Sequence, residues 1–163
     1  MGAPGFVMYE EEFKLISAVL EKLVKDSNSR MVFLVDKNGQ LIAAAGETEN
    51  LDTTSLASLT AGNIAATGGL AKLLGEREFS ILFHEGERDN LHINLIGQRV
   101  ILVVIFDDRS TLGLVRLRVK KSSEELSSIF DRLMKKAEAE ATAGQASPFS
   151  EITDEDIENL FRE

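Results

Sequence analysis

Cysteine is absent from the 163 residues, and only two histidines and two prolines occur. Without cysteine there is no disulfide framework, no cysteine–zinc site and no thiol nucleophile. The phosphate-cradling pattern G-x-x-x-x-G-K-[ST] is missing, since GQLIAAAG carries no lysine where that loop needs one. Neither a G-x-S-x-G elbow nor an H-E-x-x-H helix occurs. No apolar run approaches the length of a membrane span. The start, MGAPGF, lacks a basic region followed by an apolar stretch, and Phe6 stands where a myristoylation signal wants Ser or Thr. A soluble cytoplasmic chain is expected, with neither a metal nor another cofactor.

Basic charge is also scarce, and unevenly so. The net charge is −9, and residues 138–163 hold eight acidic groups against one basic, leaving only −2 on residues 1–137. A nearly neutral body with an acidic tail has no cationic stripe for phosphate, so nucleic acid is not an expected partner.

What is present is a regular alternation of helix and strand patterns. Residues 8–25 place Phe13, Ile16, Leu20, Leu23 and Val24 at helical spacing. MVFLVD (31–36) and QLIAAAG (40–46) flank Asn38-Gly39, the pair that favours a two-residue hairpin with positive φ at both positions. One of Asp52, Thr53 and Thr54 caps a second helix reaching about Gly75. FSILF (79–83), with Phe79, Ile81 and Phe83 on one face, LHINLI (91–96) and the apolar RVILVVIFD (99–107) follow as strands, the last covered on both faces. A long helix is expected from after Ser110 to about Ala139, its LVRLRV (114–119) stretch read as helix although it also alternates. ATAGQASP (141–148) reads as a small-residue linker, and FSEITDEDIENLFRE closes the chain.

The second helix contains TAGNIAATGGLAKLLG (60–75), with four glycines. A helical glycine costs about 1 kcal/mol relative to alanine. On a helical wheel Leu56, Leu59, Asn63, Ala66, Thr67, Leu70, Leu73 and Leu74 share one sector, expected to face the core. The opposite sector holds Ala57, Ser58, Ala61, Gly62, Ala65, Gly68, Gly69 and Lys72, seven of them no larger than serine. A solvated face is normally rich in charge. A bare one allows another backbone to come close, so a contact surface is expected there, with close packing inside the chain as the alternative. FSILF, as an edge strand, is a second candidate for self-association.

Other candidate chemistry is thin. His84 and His92 stand on adjacent strands, where ordinary surface or half-buried histidines outweigh a metal pair. Asp107-Asp108 resembles a carboxylate pair, but its commoner use is to start a helix. RLRVKK (116–121) reads as a solvated face, with a docking patch for an acidic partner, the chain's own tail included, as the sharper alternative. In the tail, Thr153 and Asp156 make a capping-box-like start, and Ile157, Leu160 and Phe161 follow at helical spacing behind Phe149 and Ile152. Such apolar anchors on an acidic frame suit a helix-in-groove ligand; an unstructured tail or one folded back on its own domain are the alternatives.

YEEEF, VFLVDKNGQLIA, DTTSLASLTAGNIAATGGLAKLLGE, VVIFDDRSTLGLVRLRVKK and SPFSEITDEDIENLF together resemble the Roadblock family, over essentially the whole chain. The likeness is greatest to its MglB-type branch, GTPase-activating partners of small Ras-like GTPases of MglA type in bacterial polarity and gliding motility. The resemblance implies an α/β Roadblock sandwich, a five-stranded antiparallel sheet with one helix on one face and two on the other. Residues 1–139 would be the Roadblock domain, and 140–163 a linker with an acidic C-terminal binding helix. It further implies a homodimer whose second helices pair and whose edge strands join, forming a platform that holds one GTPase per two protomers. Carried onto this chain, the platform is Ala61, Gly62, Ala65, Gly68, Gly69 and Lys72. The second contact, with an influence on nucleotide exchange, is Phe149, Ile152, Ile157, Leu160 and Phe161. Activation would proceed by aligning the GTPase's own residues, without an arginine finger and with no active site in this chain. A cytoplasmic location, with the cell pole as one place, goes with this. A scaffold or light-chain adaptor that binds a GTPase or motor without stimulating hydrolysis is the second reading.

Overall fold

Eight elements follow one another in the computed structural model, which describes residues 8–146: α1 (Glu10–Ser27), β1 (Met31–Asp36), β2 (Leu41–Gly46), α2 (Thr53–Leu73), β3 (Ile81–His84), β4 (Asn90–Ile96), β5 (Val100–Phe106) and α3 (Leu112–Ala146). The strands form one antiparallel sheet in the order β2-β1-β5-β4-β3. α1 and α3 cover one face and α2 the other, as expected. Val32, Leu34, Leu102 and Val104 meet Ile16, Leu20, Leu23, Val119, Leu126 and Leu133 on the two-helix side. Met31, Phe33, Val35, Ile101 and Val103 pack with Ala57 and Ile64 on the other. Every residue of β5 is buried, because it is the middle strand with a helical layer on both sides. Side chains as fully buried as Phe33 or Leu102 each contribute about 1.5–3 kcal/mol.

The turns depart from expectation in an instructive way. Of Asn38 and Gly39 only the glycine has positive φ, +88°. The amide of Gly39 donates to the Asp36 carbonyl, and Asp36 Oδ1 accepts from the amides of Asn38 and Gln40. This is a longer loop closed by a left-handed glycine, accompanied by a register shift between Leu34 and Val35. The carboxylate of Asp36 supplies the local bonds that a two-residue turn would have drawn from the strands. Two successive positive φ values occur instead at Gly97 and Gln98, +58° and +61°, in the three-residue connection between β4 and β5.

Three further expectations are corrected. β3 begins at Ile81, so Phe79 lies outside it and lines a crevice under α2, while Phe83 stacks on Phe106 on the opposite face. Asp107 and Asp108 do not cap α3. Thr111 Oγ1 accepts from the Leu114 amide and takes that role, while Asp107 folds back onto the amide and guanidinium of Arg109. α3 also runs on to Ala146, past Ala139 and through the first residues of the expected linker. Alanine is the best helix former, so ATAGQA can continue a helix that is already nucleated.

α1 runs antiparallel to α3, and both ends of the pair are tied. At one end Asn28 Nδ2 donates to the Arg109 carbonyl and the Ser110 hydroxyl to that of Ser27. At the other, Lys136 Nζ lies 3.2 Å from buried Glu12 and 4.5 Å above the Tyr9 ring. The Tyr9 hydroxyl donates to Glu140, and this bond pushes the phenol pKa up to about 12.

Candidate functional site

The sequence places its most unusual composition on α2, and the packing of that helix decides what it offers. Asp52 caps it, accepting from the Ser55 amide at 3.0 Å, and Gly75 ends it at φ +78°, with Gly75 N–H bonded to Lys72 O and Glu76 N–H to Ala71 O. Gly75 is therefore an ordinary helix terminator. Gly62, Gly68 and Gly69 are inside the helix and need another account.

The stripe of α2 turned inward holds its buried residues, Ala57, Thr60 and Ala71, and Leu56, Ala57 and Ile64 pack against the sheet. It runs along the boundary of the two sectors of the wheel, so the leucine sector as a whole is not the core face. Leu56, Asn63 and Thr67 are half-buried, but Leu59 is 73% exposed, Leu70 53%, Leu73 85% and Leu74 65%. A single helix lying on a sheet can bury only part of its circumference, and α2 is apolar almost all round. Its small residues win the contact because they let the helix axis come close to the strands, and the leucines are turned outward.

The expected platform residues divide accordingly. Ala61 and Gly68 are half-buried, and with Lys37, Ile64, Phe79 and Leu95 they line a crevice of about 180 Å³. Gly62, Ala65, Gly69 and Lys72 are exposed, next to the leucine ridge that wheel reasoning had assigned to the core. A Cβ added at Gly62, Gly68 or Gly69 would meet nothing within 4 Å. Nothing among the described residues requires these glycines. Alanine at Gly62 is therefore expected to raise the unfolding free energy by about 0.5–1 kcal/mol, in urea titrations of samples too dilute for copies to associate.

A second apolar surface lies at the sheet edge, on the face opposite α2. β3 pairs only with β4 among the described residues, so one of its edges carries unpaired backbone groups. Ile81 is 51% exposed and Phe83 37%. Exposed leucines along α2 and an open edge strand with exposed apolar side chains are each features of the kind that marks a protein contact.

The remaining candidate chemistry resolves into structure. His84 faces α2, its Nε2 3.3 Å from Asn63 Nδ2, while His92 is buried on the opposite face of the sheet. The two rings therefore do not form a pair. No group of three or more His, Cys, Asp or Glu could hold a metal among the described residues. At the far end of the sheet Arg30 bridges Glu47 (3.0 Å) and Asp89 (2.7 Å), and Arg109 bridges Asp107 (3.0 Å) and Glu47 (3.4 Å). The Arg30 hydrogen bond holds Glu47 below the usual carboxylate range, and that of Arg109 does the same for Asp107. Both cations are occupied, and the cluster braces the loops that leave β2 and β5 against the one that enters β4.

In RLRVKK, Arg116, Lys120 and Lys121 are exposed on α3 while Val119 is core. The expected second contact, Phe149, Ile152, Ile157, Leu160 and Phe161, lies outside the described residues. No helix among the described residues is long and apolar enough to cross a membrane.

Comparison with known proteins bears on this surface. The Roadblock/LC7 domain matches residues 15–106. The structure of Myxococcus xanthus MglB is 66% identical, with a TM-score of 0.75 over 78% of this chain and 96% of that one. The gliding protein MglB of Thermus thermophilus is 35% identical, with a TM-score of 0.75 over 80% and 98%. An MglB described as having a tetrameric arrangement is 34% identical, with a TM-score of 0.76 over 80% and 98%. No curated protein matches.

Proposed function

The chain belongs to the Roadblock/LC7 domain family, whose MglB members are its structural relatives, and on that premise we propose that it is a homodimeric GTPase-activating regulator of a small Ras-like GTPase of MglA type. One observation carries this reading: α2 turns both its leucines and its glycines away from its own core. The leucine ridge and the β3 edge are suited to a second copy. The exposed lane of Gly62, Ala65 and Gly69 beside them is suited to a close-lying segment of the GTPase. One relative named for gliding, and one with a tetrameric arrangement, support motility and self-association as the context.

Lys72 is the one cation on α2, and no arginine lies on that helix. Activation is therefore read as alignment of the GTPase's own catalytic groups, with no arginine finger and no active site in this chain. The acidic segment after α3 makes the second contact, which affects nucleotide exchange. The cytoplasm, and the cell pole within it, is the place where a polarity regulator would act.

The test is GTP turnover by an MglA-type GTPase, alone and with increasing amounts of this protein. Acceleration that saturates near two chains per GTPase is expected. Gly69→Arg fills the exposed lane without touching the core, and should weaken binding by about tenfold or more, equivalent to about 1.4 kcal/mol. Unchanged binding by that variant removes the platform. Binding of the original chain without acceleration favours the adaptor reading instead.

A further inference from the structure

The sheet is wider than the pair of helices that covers its two-helix face. Five strands at about 4.8 Å spacing span about 24 Å, and two helices at about 10 Å each cover about 20 Å of that. α1 lies over β1 and β2. α3 packs on Leu102 and Val104 of β5 and is tied to β4 through Ser123, whose hydroxyl accepts from Asn94 Nδ2 at 2.7 Å. One strand's width is left over, and that strand is β3. Phe83 stacks on Phe106 of β5, which sets it on this face, and Ile81, two residues away, shares the face. Their exposed side chains make a narrow apolar shelf beside α3.

Two contacts fix which flank of α3 overlooks the shelf. Ser123 meets Asn94, and the charge of Arg116 acts on His92, so residues 116, 120, 123 and 127, at i+3 and i+4 spacing, share that flank. Arg116 and Lys120 are exposed, and among the described residues neither makes an ion pair. The acids nearby stand at the two ends, Glu85 just past β3 and Asp131 one turn beyond Ser127. The shelf is therefore apolar along its floor and cationic along the middle of its wall.

We propose that two such shelves, side by side in the homodimer, seat one acidic amphipathic helix of a partner protein. This rests on the homodimeric reading above, with the β3 edges joined about a two-fold axis perpendicular to the sheet. A single shelf about 5 Å wide is too narrow for a helix. Two together are about 10 Å wide, the spacing at which one helix packs between its neighbours. The axis sets the two α3 helices antiparallel, so Ile81 and Phe83 of both copies form the floor while Arg116 and Lys120 of both line the walls. Four cations beside an apolar floor select a helix with large apolar side chains on one face and carboxylates on its flanks. One seat on a two-fold axis means one occupant per two chains. It lies on the opposite face of the sheet from α2, so it stays open while a GTPase occupies the glycine lane.

The probe is a synthetic peptide of about eighteen residues, long enough to be helical alone, with leucine along one stripe and glutamate and alanine elsewhere. Titrated into the intact, isotope-enriched chain at pH 7.5, it should shift the amide signals of Ile81, Phe83, Arg116 and Lys120 and leave those of α2 and β2 in place. Calorimetry should give one peptide per two chains. Arg116→Glu together with Lys120→Glu, both at exposed positions off the strand edge, should weaken binding by about tenfold or more while the chain sediments as before. A peptide with lysine in place of glutamate should lose at least as much. No shift at the shelf at millimolar peptide, one peptide per chain, or equal binding of the lysine peptide overturns the proposal. Sedimentation velocity without peptide separates it from the reading beneath it. A dimer that ignores the peptide removes the seat alone, whereas a monomer removes the homodimer and the seat with it.

Discussion

Aspartate at both Leu70 and Leu73 should leave the chain folded and prevent it from dimerising. The two leucines are 53% and 85% exposed, so the isolated fold draws little of its stability from them. In a dimer built on the α2 face both would be buried, and a buried leucine contributes about 1.5–3 kcal/mol. Losing four such contributions, two from each copy, and bringing four carboxylates together across a two-fold interface, should weaken association by a factor of about 10⁴ or more. Sedimentation velocity at micromolar concentration would report a monomer, with unchanged helix content by circular dichroism. A double variant that still sediments as a dimer would place the interface elsewhere. The substitutions also separate two properties of α2, since Gly69 and Ala65 on the adjoining lane remain as they are. A monomer that has also lost GTPase binding would mean that both copies supply the platform, whereas one that still binds would mean that one copy suffices.

The sheet and its layers were legible because each strand has a pattern with a single solution. RVILVVIFD cannot be solvated on either face, so it had to be central, and it is. LVRLRV was resolved as helix by the continuation of its apolar residues through Leu126, Ile129 and Leu133, all buried. The roll of α2 was not legible for the converse reason. Leucines fill one sector, alanines and glycines another, and the buried residues Ala57, Thr60 and Ala71 fall along the boundary of the two. Hydrophobic periodicity names the largest apolar face, but a helix on a sheet is seated by the distance at which it fits. The signal that could have found the outward leucines was their excess: one sheet face shared with no other helix has no room for all of them. The turn was missed for a local reason, because Asp36 accepts from the amides of Asn38 and Gln40 and so stabilises a longer loop than Asn-Gly alone suggests.

His92 is the residue whose replacement should change stability most clearly with pH. Its ring is 1% exposed between Phe83 on β3 and Val104 on β5, and among the described residues neither ring nitrogen is hydrogen-bonded to another residue. Burial lowers its pKa from the ordinary 6.5, and the charge of Arg116 on α3 lowers it further. The folded state therefore keeps the ring neutral while the unfolded chain takes up a proton as pH falls below about 6.5. The unfolded state binds more protons in that window, so stability declines with falling pH by at most about 1.4 kcal/mol per unit until the folded ring also titrates. Glu47 and Asp107 act in a lower window. Their folded pKa values are depressed, so their contribution is complete above about 4.3 and 3.9 and is lost only as pH falls through the folded values. Both are solvent-exposed pairs and should count for little. Leucine in place of His92 removes an unpartnered buried polar group, and should stabilise the fold by about 1–3 kcal/mol at neutral pH. It should also abolish the decline between pH 6.5 and 5 while leaving the one below pH 4 intact. Urea midpoints at pH 7.5, 6 and 5, at one fixed protein concentration so that association does not contribute, read both effects. Parallel declines in the two proteins would mean that His92 finds a proton acceptor in solution that its buried position does not offer.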